Sequence, residues 1–341
     1  MLRRNLLAAT AAGIAAPAAL RAQGAAWRPD RPVTIIVPWA AGGSTDQMAR
    51  IVAAELEAPL GQRVVVVNQP GASGSIGTRN ALEAPKDGLT WAAGAAVDVG
   101  CYKVLGLLDT QLSDWNLFFA VANVNVLVAN PQAGFRDFAQ AYEALKTRGQ
   151  GVGVATAGVS SAGHNMMEAL RAATPGLQYR HATYDGGNPA MIATVSGETP
   201  LGAVLLVEAA EMIRARRLIP LAVQSDNPVT LAAQGSSPAI EIPSVRRWVP
   251  NMPAPLNYFG IWSPKGVPEP VVQTMSTIWR DTIANSQRLK DYANSRAALF
   301  TPIYGQQAYD EAWKMVRQTA WLYFDGGKAR VSPDTLGIAR L

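Results

Sequence analysis

The chain has 341 residues, 30 Lys and Arg against 25 Asp and Glu, and a formal charge of +5. Hydrophobic residues make up 49% and charged residues 16%, which excludes a disordered chain and gives material for about two domains. One cysteine, Cys101, excludes a disulfide framework and multi-cysteine metal centres, and two histidines, His164 and His181, leave little for metal-hydrolase chemistry.

Residues 1–22 read as an export signal. Arg3 and Arg4 form a positive start, Leu6 to Leu20 is an uncharged apolar run, and Leu20-Arg21-Ala22 has the form of a signal-peptidase site. The run is shorter than the roughly 20 residues that span a bilayer, so a membrane anchor is the weaker alternative. Arg3-Arg4-Asn5-Leu6-Leu7 also fits a twin-arginine export motif, although a Sec signal looks alike. The mature chain is then expected to start near Gln23, after cleavage at Ala22, and to work in the periplasm. Arg3, Arg4 and Arg21 belong to the signal, which holds no acid. Removing them from the 30 basic residues leaves +2 against 25 acids, so no nucleic-acid partner is expected.

The mature chain alternates strand and helix patterns. Val33 to Val37 is a β-branched run, and Met48, Ile51, Val52 and Leu56 then mark one helix face. Ser44, Thr45 and Asp46 supply capping residues at its start, and Pro59 and Gly61 end it. A strand at Val64 to Val67, a helix from Ser75 to Ala84 and a strand from Leu89 to Ala93 complete a β-α-β-α-β series, which implies a parallel sheet covered by helices. A long apolar stretch runs from Phe118 to Ala129, and the alternation restarts after Asn130-Pro131. It continues through helices at Phe138 to Leu145, Ala162 to Ala172, Pro189 to Ser196 and Ala209 to Arg216. The strands between them are expected at Gly151 to Ala155, Leu177 to Ala182, Val204 to Val207 and Leu218 to Val223. Asn227 to Pro255 reads as a long connection, Leu256 to Trp262 as a strand, and two late helices follow. The order predicts an α/β fold of two lobes: residues 27–127 with 256–341, and residues 128–255. Each would hold a mostly parallel sheet, joined by crossing strands near Val126–Ala129 and Leu256–Ile261. A cleft between lobes allows hinge closure around a ligand.

Three Gly-rich turns carry the chemistry. Val37 to Asp46 lies between a buried strand and a helix start, where free backbone N–H groups and the helix dipole suit an anion. Trp39 could wall such a site. An ordinary β–α turn with a capping Thr is the alternative. Pro70-Gly71-Ala72-Ser73-Gly74-Ser75-Ile76-Gly77 lacks the dinucleotide fingerprint and the Walker Lys, so a second anion cradle fits better than nucleotide binding. Ala157 to His164 is the equivalent turn of the second lobe, where Ser160 and Ser161 add hydroxyls. Three such turns at strand C-termini point to a cleft site. Enzyme readings are poor, because no G-x-S-x-G elbow or metal spacing is present. No cofactor or metal is expected. His164 reads as a polar first-turn residue or a ligand contact, His181 as structural, and Cys101 as a small buried hydrophobe.

These residues carry a resemblance to the periplasmic solute-binding proteins of tripartite tricarboxylate transporters, the Bug family, over nearly the whole mature chain. The signature V-P-F-x-x-G-G-x-x-D stands as Val37 to Asp46, and N-x-P-G-A-x-G-x-x-G as Asn68 to Gly77. Weaker matches are Pro85-Lys86-Asp87-Gly88, Ser160-Ser161, Tyr184-Asp185-Gly186-Gly187 and the block from Ile213 to Val223. The resemblance implies a Venus-flytrap receptor for a small carboxylate. The first-signature turn (Trp39, Ala40, Ala41, Gly42, Gly43, Ser44, Thr45, Asp46) would grip one carboxylate through backbone donors and waters. Ser160 and Ser161 would meet the other end. Gly71, Ala72, Ser73, Gly74, His164, Tyr184 and Asp185 complete the expected ligand-binding set. The implied partners are a small organic acid and two membrane subunits, with the receptor itself a monomer. A sensory receptor or an exported enzyme on the same scaffold is the alternative. Three departures bear on the ligand. Ala40-Ala41 replaces a proline-containing pair, Pro200 stands where Asp is usual, and Asp185 stands where a base is common. An acid at Asp185 would disfavour a second ligand carboxylate and tolerate an amine or amide.

Overall fold

The computed structural model describes residues 26–340. The expected export signal lies outside the described residues. The first part of the chain forms β1 (Val33–Val37), α1 (Ser44–Leu60), β2 (Val64–Asn68), α2 (Ser75–Glu83), β3 (Thr90–Ala95), α3 (Ala96–Leu105) and β4 (Trp115–Asn123). The middle forms β5 (Asn125–Ala129), α4 (Phe138–Thr147), β6 (Gly153–Thr156), α5 (Ala162–Ala173), β7 (Arg180–Thr183), α6 (Gly187–Ser196), β8 (Leu201–Leu205), α7 (Leu206–Arg214), β9 (Ile219–Gln224), β10 (Val229–Leu231) and β11 (Ile240–Ile242). The chain then adds β12 (Asn257–Pro264), α8 (Glu269–Asp281), α9 (Gln287–Ser295), β13 (Leu299–Phe300) and α10 (Gly305–Asp325).

Two sheets result. The first runs β13-β4-β12-β3-β1-β2 and the second β7-β6-β8-β5-β9. β1 is a β-branched run buried almost throughout, because it sits between two parallel neighbours under helices on both faces. α1 buries Met48, Val52, Leu56 and Leu60, and ends where Gly61 takes a left-handed φ of 68° and donates to Glu57 O. The two-lobe α/β fold is as the sequence predicts: most strands of each sheet run the same way, with β12 and β13 reversed in the first sheet and β5 in the second. β1, β2 and β3 pair parallel, as do β6, β7 and β8, while β12 pairs antiparallel with β3 and β4, β13 with β4, and β5 with β8 and β9, so that β4 and β9 run with the βαβ strands. The cause is the crossing itself. The strands by which the chain crosses into a sheet, β5 and β12, enter against the direction of its βαβ strands.

The long apolar stretch is two strands. β4 ends the first sheet's share and β5 pairs along its whole length with β8 and β9, so the chain passes between sheets at Val124. This lies slightly upstream of the expected boundary. α3 was not legible in the sequence, because it is buried on nearly every side and shows no polar face. It packs so closely on α10 that a Cβ at Gly100 would sit 2.3 Å from Val316 Cγ2. α10 also reaches the second lobe. Tyr323 OH hydrogen-bonds Asn165 of α5 and donates to Val159 O at 3.3 Å, and Arg171 donates to Gly326 O at 3.3 Å. Among the described residues no helix is long and apolar enough to cross a membrane.

Candidate functional site

Five helices start at the C-terminal ends of strands along the seam between the sheets: α1, α3, α5, α6 and α7. Their first turns enclose a cavity of about 40 Å³ lined by Trp39, Gly43, Ser44, Thr45, Asp98, Ser161, Gly163, Gly187, Glu208 and neighbouring apolar groups. A space of that size holds roughly three waters, so the cleft is shut.

The first-signature turn is braced from within. Asp46 accepts from the Gly42 N–H (2.9 Å), the Asn68 amide (2.9 Å) and the Arg50 guanidinium (2.8 Å). Burial opposes its charge, yet the hydrogen bonds of Arg50, Gly42 and Asn68 outweigh this and hold the carboxyl below its ordinary value. Its oxygens are thus engaged inside the turn. Asn68 also donates to Trp39 O, which holds the backbone of the turn where Trp39 lines the cavity. Ala40 and Ala41 meet the second lobe through backbone: Ala40 N–H donates to Asp185 O at 3.0 Å, and the Asn188 amide to Ala41 O at 3.4 Å.

α1 has no side-chain cap, because Gly43 holds its N-cap position. The acceptor comes from the other lobe. Glu208, on the first turn of α7, accepts from Ser44 N–H at 3.1 Å with Oε1 and from its own Leu205 N–H at 3.1 Å with Oε2. Gly187 makes this possible, since a Cβ there would lie 2.1 Å from both carboxylate oxygens. Burial raises the Glu208 carboxyl above its usual value, against the pull of the Ser44 and Leu205 N–H groups and the Ser44 hydroxyl.

Asp98 holds the matching position in the first lobe. It is the third residue of α3, is 4% exposed and lines the same cavity. Burial pushes its carboxyl well up, against the Ser160 hydroxyl, the Trp39 side chain and the Ala95 backbone. Its Oδ1 has no hydrogen-bond partner.

The remaining expected residues fall in two places. Ser73 and Ser160 form a seam between the lobes: Ser73 Oγ accepts from Val159 N–H and Ser73 O from Ser160 Oγ, both at 3.1 Å. Ala72 and Ser73, with Tyr184 and Asp185, line a groove of about 250 Å³ at the cleft mouth. Gly71 and Gly74 take positive φ beside them, and a Cβ on Gly74 would meet Tyr102 OH at 2.6 Å. The Asp185 side chain is exposed and its carbonyl makes the lobe contact, while Tyr184 OH donates to Glu198 at 2.7 Å. Ser161 lines the cavity but caps its own helix, accepting from His164 N–H at 3.3 Å. His164 lies behind that turn. Burial and the neighbouring His181 hold its ring neutral, tilted 49° to the His181 ring with centroids 4.2 Å apart and 3.4 Å from Glu168 Oε1 without hydrogen-bond geometry. His181 hydrogen-bonds Thr156 Oγ1 at 2.6 Å and is lowered to about 4, chiefly by burial. Cys101 is fully buried beside α10.

The sequence reading missed Asp98, Gly187 and Glu208. The available signal was an acid at the third helical position directly after an apolar strand, a capping-box place opening onto the cleft.

Residues 48–308 match the family described as tripartite tricarboxylate transporter family receptor. The chain is 29% identical over 293 residues to a UPF0065 protein in the tcbD-tcbE intergenic region of Pseudomonas sp. (strain P51), covering 83% of this chain and 82% of that protein. Its fold is similar to that of periplasmic binding protein BugD, with a TM-score of 0.76 at 24% identity over 88% and 99% of the two chains. It is equally similar to MatC from Rhodopseudomonas palustris with bound malate, with a TM-score of 0.76 at 20% identity over 86% and 99%. With the two signatures at strand-to-helix turns, the two mixed sheets and a sequence match over most of its length, the chain belongs to the tripartite tricarboxylate transporter receptor family.

Proposed function

We propose that this protein is a periplasmic receptor that captures a small carboxylate-bearing metabolite between its lobes and delivers it, unchanged, to tripartite tricarboxylate-type membrane subunits. The observation that carries this reading is the carboxylate already at the start of α1. Glu208 supplies to the uncapped Ser44 N–H the acceptor that a ligand carboxylate would supply after the lobes part. The start of α5, with Ser160 and Ser161, lies across the same seam and supports contact with the rest of the ligand. The bound malate of MatC supports the carboxylate class. Entry requires the interlobe bonds of Ala40, Ser44, Ser73 and Ser160 to break, so capture is a cycle of opening and closing.

Calorimetric titration of the mature chain with small carboxylates and their uncharged amides tests this. Saturable binding of the carboxylates, with closure seen by small-angle scattering, is expected. Binding of the amides alone would overturn the reading.

A further inference from the structure

A second cavity lies between the lobes, beside the crossing strands, and shares no lining residue with the cleft. Its volume is about 300 Å³, the size at which small-molecule sites begin. Asn125 and Asn257 line it from the starts of β5 and β12, Gln224 of β9 and Asn165 of α5 from the second lobe, and Thr319 of α10 from the first. All five are uncharged hydrogen-bonding side chains, nine-tenths or more buried. The chain itself sets three of them: Asn125 Nδ2 donates to Gln224 Oε1 at 2.8 Å, Gln224 Nε2 to Pro253 O at 2.7 Å, and Asn257 Nδ2 to Asn123 O at 3.3 Å. Asn125 Oδ1 has no partner among the described residues. Ala169, Met315 and Leu322 supply apolar patches on the same wall. The charged side chains of the lining are held by their own partners. Arg340 pairs with Asp325 at 2.7 Å and lies 4.1 Å over the Trp321 ring, and Arg317 donates to Ala339 O at 3.0 Å and to Arg340 O at 3.1 Å. Buried amide and hydroxyl groups call for partners, and a cavity of this size leaves room for a ligand to supply them.

We infer that this cavity is a second ligand site, for an uncharged polyhydroxy compound, and that its occupant biases the angle between the lobes. Hydroxyl groups both donate and accept, as the amide walls do, and the carbon chain of a polyol suits the apolar patches. With the five buried polar groups all uncharged, nothing there offsets the desolvation of an ionic ligand. α5 and α10 belong to different lobes, so a swing about β5 and β12 changes the width of the space between them. A ligand that touches both walls binds the closed arrangement better than an open one, and by linkage it tightens whatever the cleft holds. The site goes beyond carboxylate capture and does not depend on it.

The test is calorimetry on the mature chain with erythritol, xylitol and sorbitol, and with 1,6-hexanediol, which has the length of sorbitol without its inner hydroxyls. The tightest polyol should bind saturably with a Kd below about 1 mM, and about tenfold or more tighter than the diol. Thr319→Val removes one wall hydroxyl at nearly constant shape and should weaken that polyol about fivefold. Ala169→Met fills part of the cavity and should weaken it about tenfold or more. The near-isosteric Thr319→Val keeps the test valid if Ala169→Met misfolds. At saturation the polyol should tighten propionate about fivefold and compact the chain in small-angle scattering. Silence across the three polyols, or unchanged binding in both variants, overturns the site. A diol as tight as sorbitol overturns hydroxyl recognition, and displacement of the polyol by propionate overturns the site by placing the polyol in the cleft. Polyol binding with neither compaction nor a change in propionate affinity overturns the control of lobe angle and leaves the site standing. Compaction by the polyol in a chain that binds no propionate supports this inference and counts against carboxylate capture alone.

Discussion

The starts of α1 and α5 face each other across the cleft, and they are built differently. α5 is self-sufficient: Ser161 Oγ accepts from His164 N–H, and Gly163 lies so close to β8 that a Cβ would sit 1.9 Å from Ala203 O. α1 is left incomplete. Gly43 offers no cap, and the acceptor for Ser44 N–H arrives from the opposite lobe on Glu208. A helix that caps itself is a wall, whereas one that borrows its acceptor can exchange it. On the proposed function, anion recognition belongs to the α1 start, and the α5 start positions the surface it closes against.

The sharpest way to break this contrast is an added methyl on each side. Gly163→Ala forces a clash with backbone that cannot yield, and should cost about 3 kcal/mol, read by urea unfolding. Gly43→Ala, whose Cβ would meet nothing nearer than Glu208 Oε1 at 3.5 Å, should cost less than about 1 kcal/mol. Equal costs would remove the distinction between wall and socket.

A second test removes the borrowed acceptor. Glu208→Ala should strengthen propionate binding by about tenfold, because the chain no longer competes for its own socket. Gly187→Ala should act in the same direction by driving the Glu208 side chain off Ser44. Unchanged propionate affinity in both would show that Glu208 does not occupy the ligand's place.

The third test is pH. Burial raises both Asp98 and Glu208 in the folded protein above their ordinary values of 3.8 and 4.5. Groups raised in this way contribute stability that is complete below the unfolded values and is lost as pH rises through the folded ones. The melting temperature of the unaltered chain should therefore fall more between about pH 5 and 8 than that of the Asp98→Asn, Glu208→Gln double variant. The difference between the two isolates these acids from His164 and His181, which are lowered and act with the opposite sign. The smallest effect is expected from Ser161→Ala, which deletes a cap worth about 1 kcal/mol and should leave the anion affinity of the α1 start within a few-fold.

The fold was legible where periodicity is strong. β1, α1 and β2 follow from a β-branched run, an amphipathic face and a Gly stop. α3 was not, since a helix buried all round has no polar face to set its period, and α9 is absent from the two late helices expected. The site was half legible. The Gly-rich turn from Val37 to Asp46 announces itself, but Glu208 falls where a strand was expected to end, and Asp98 where no helix was expected. Both acids matter only because the fold brings two distant turns together. Asp185, by contrast, was singled out as the acid of the site, and its side chain is exposed at the mouth.

Val124 alone separates β4 from β5, is buried, and offers its carbonyl to Leu206 N–H, the first residue of the helix that carries Glu208. So short a joint permits a swing about a fixed axis and suppresses sliding. On the proposed cycle of opening and closing, a pair of fluorophores, one on each lobe, would convert the angle between the lobes directly into an optical signal. The same economy makes this scaffold a natural frame for a biosensor, in which altering the cleft changes what is sensed while Val124 keeps the readout the same.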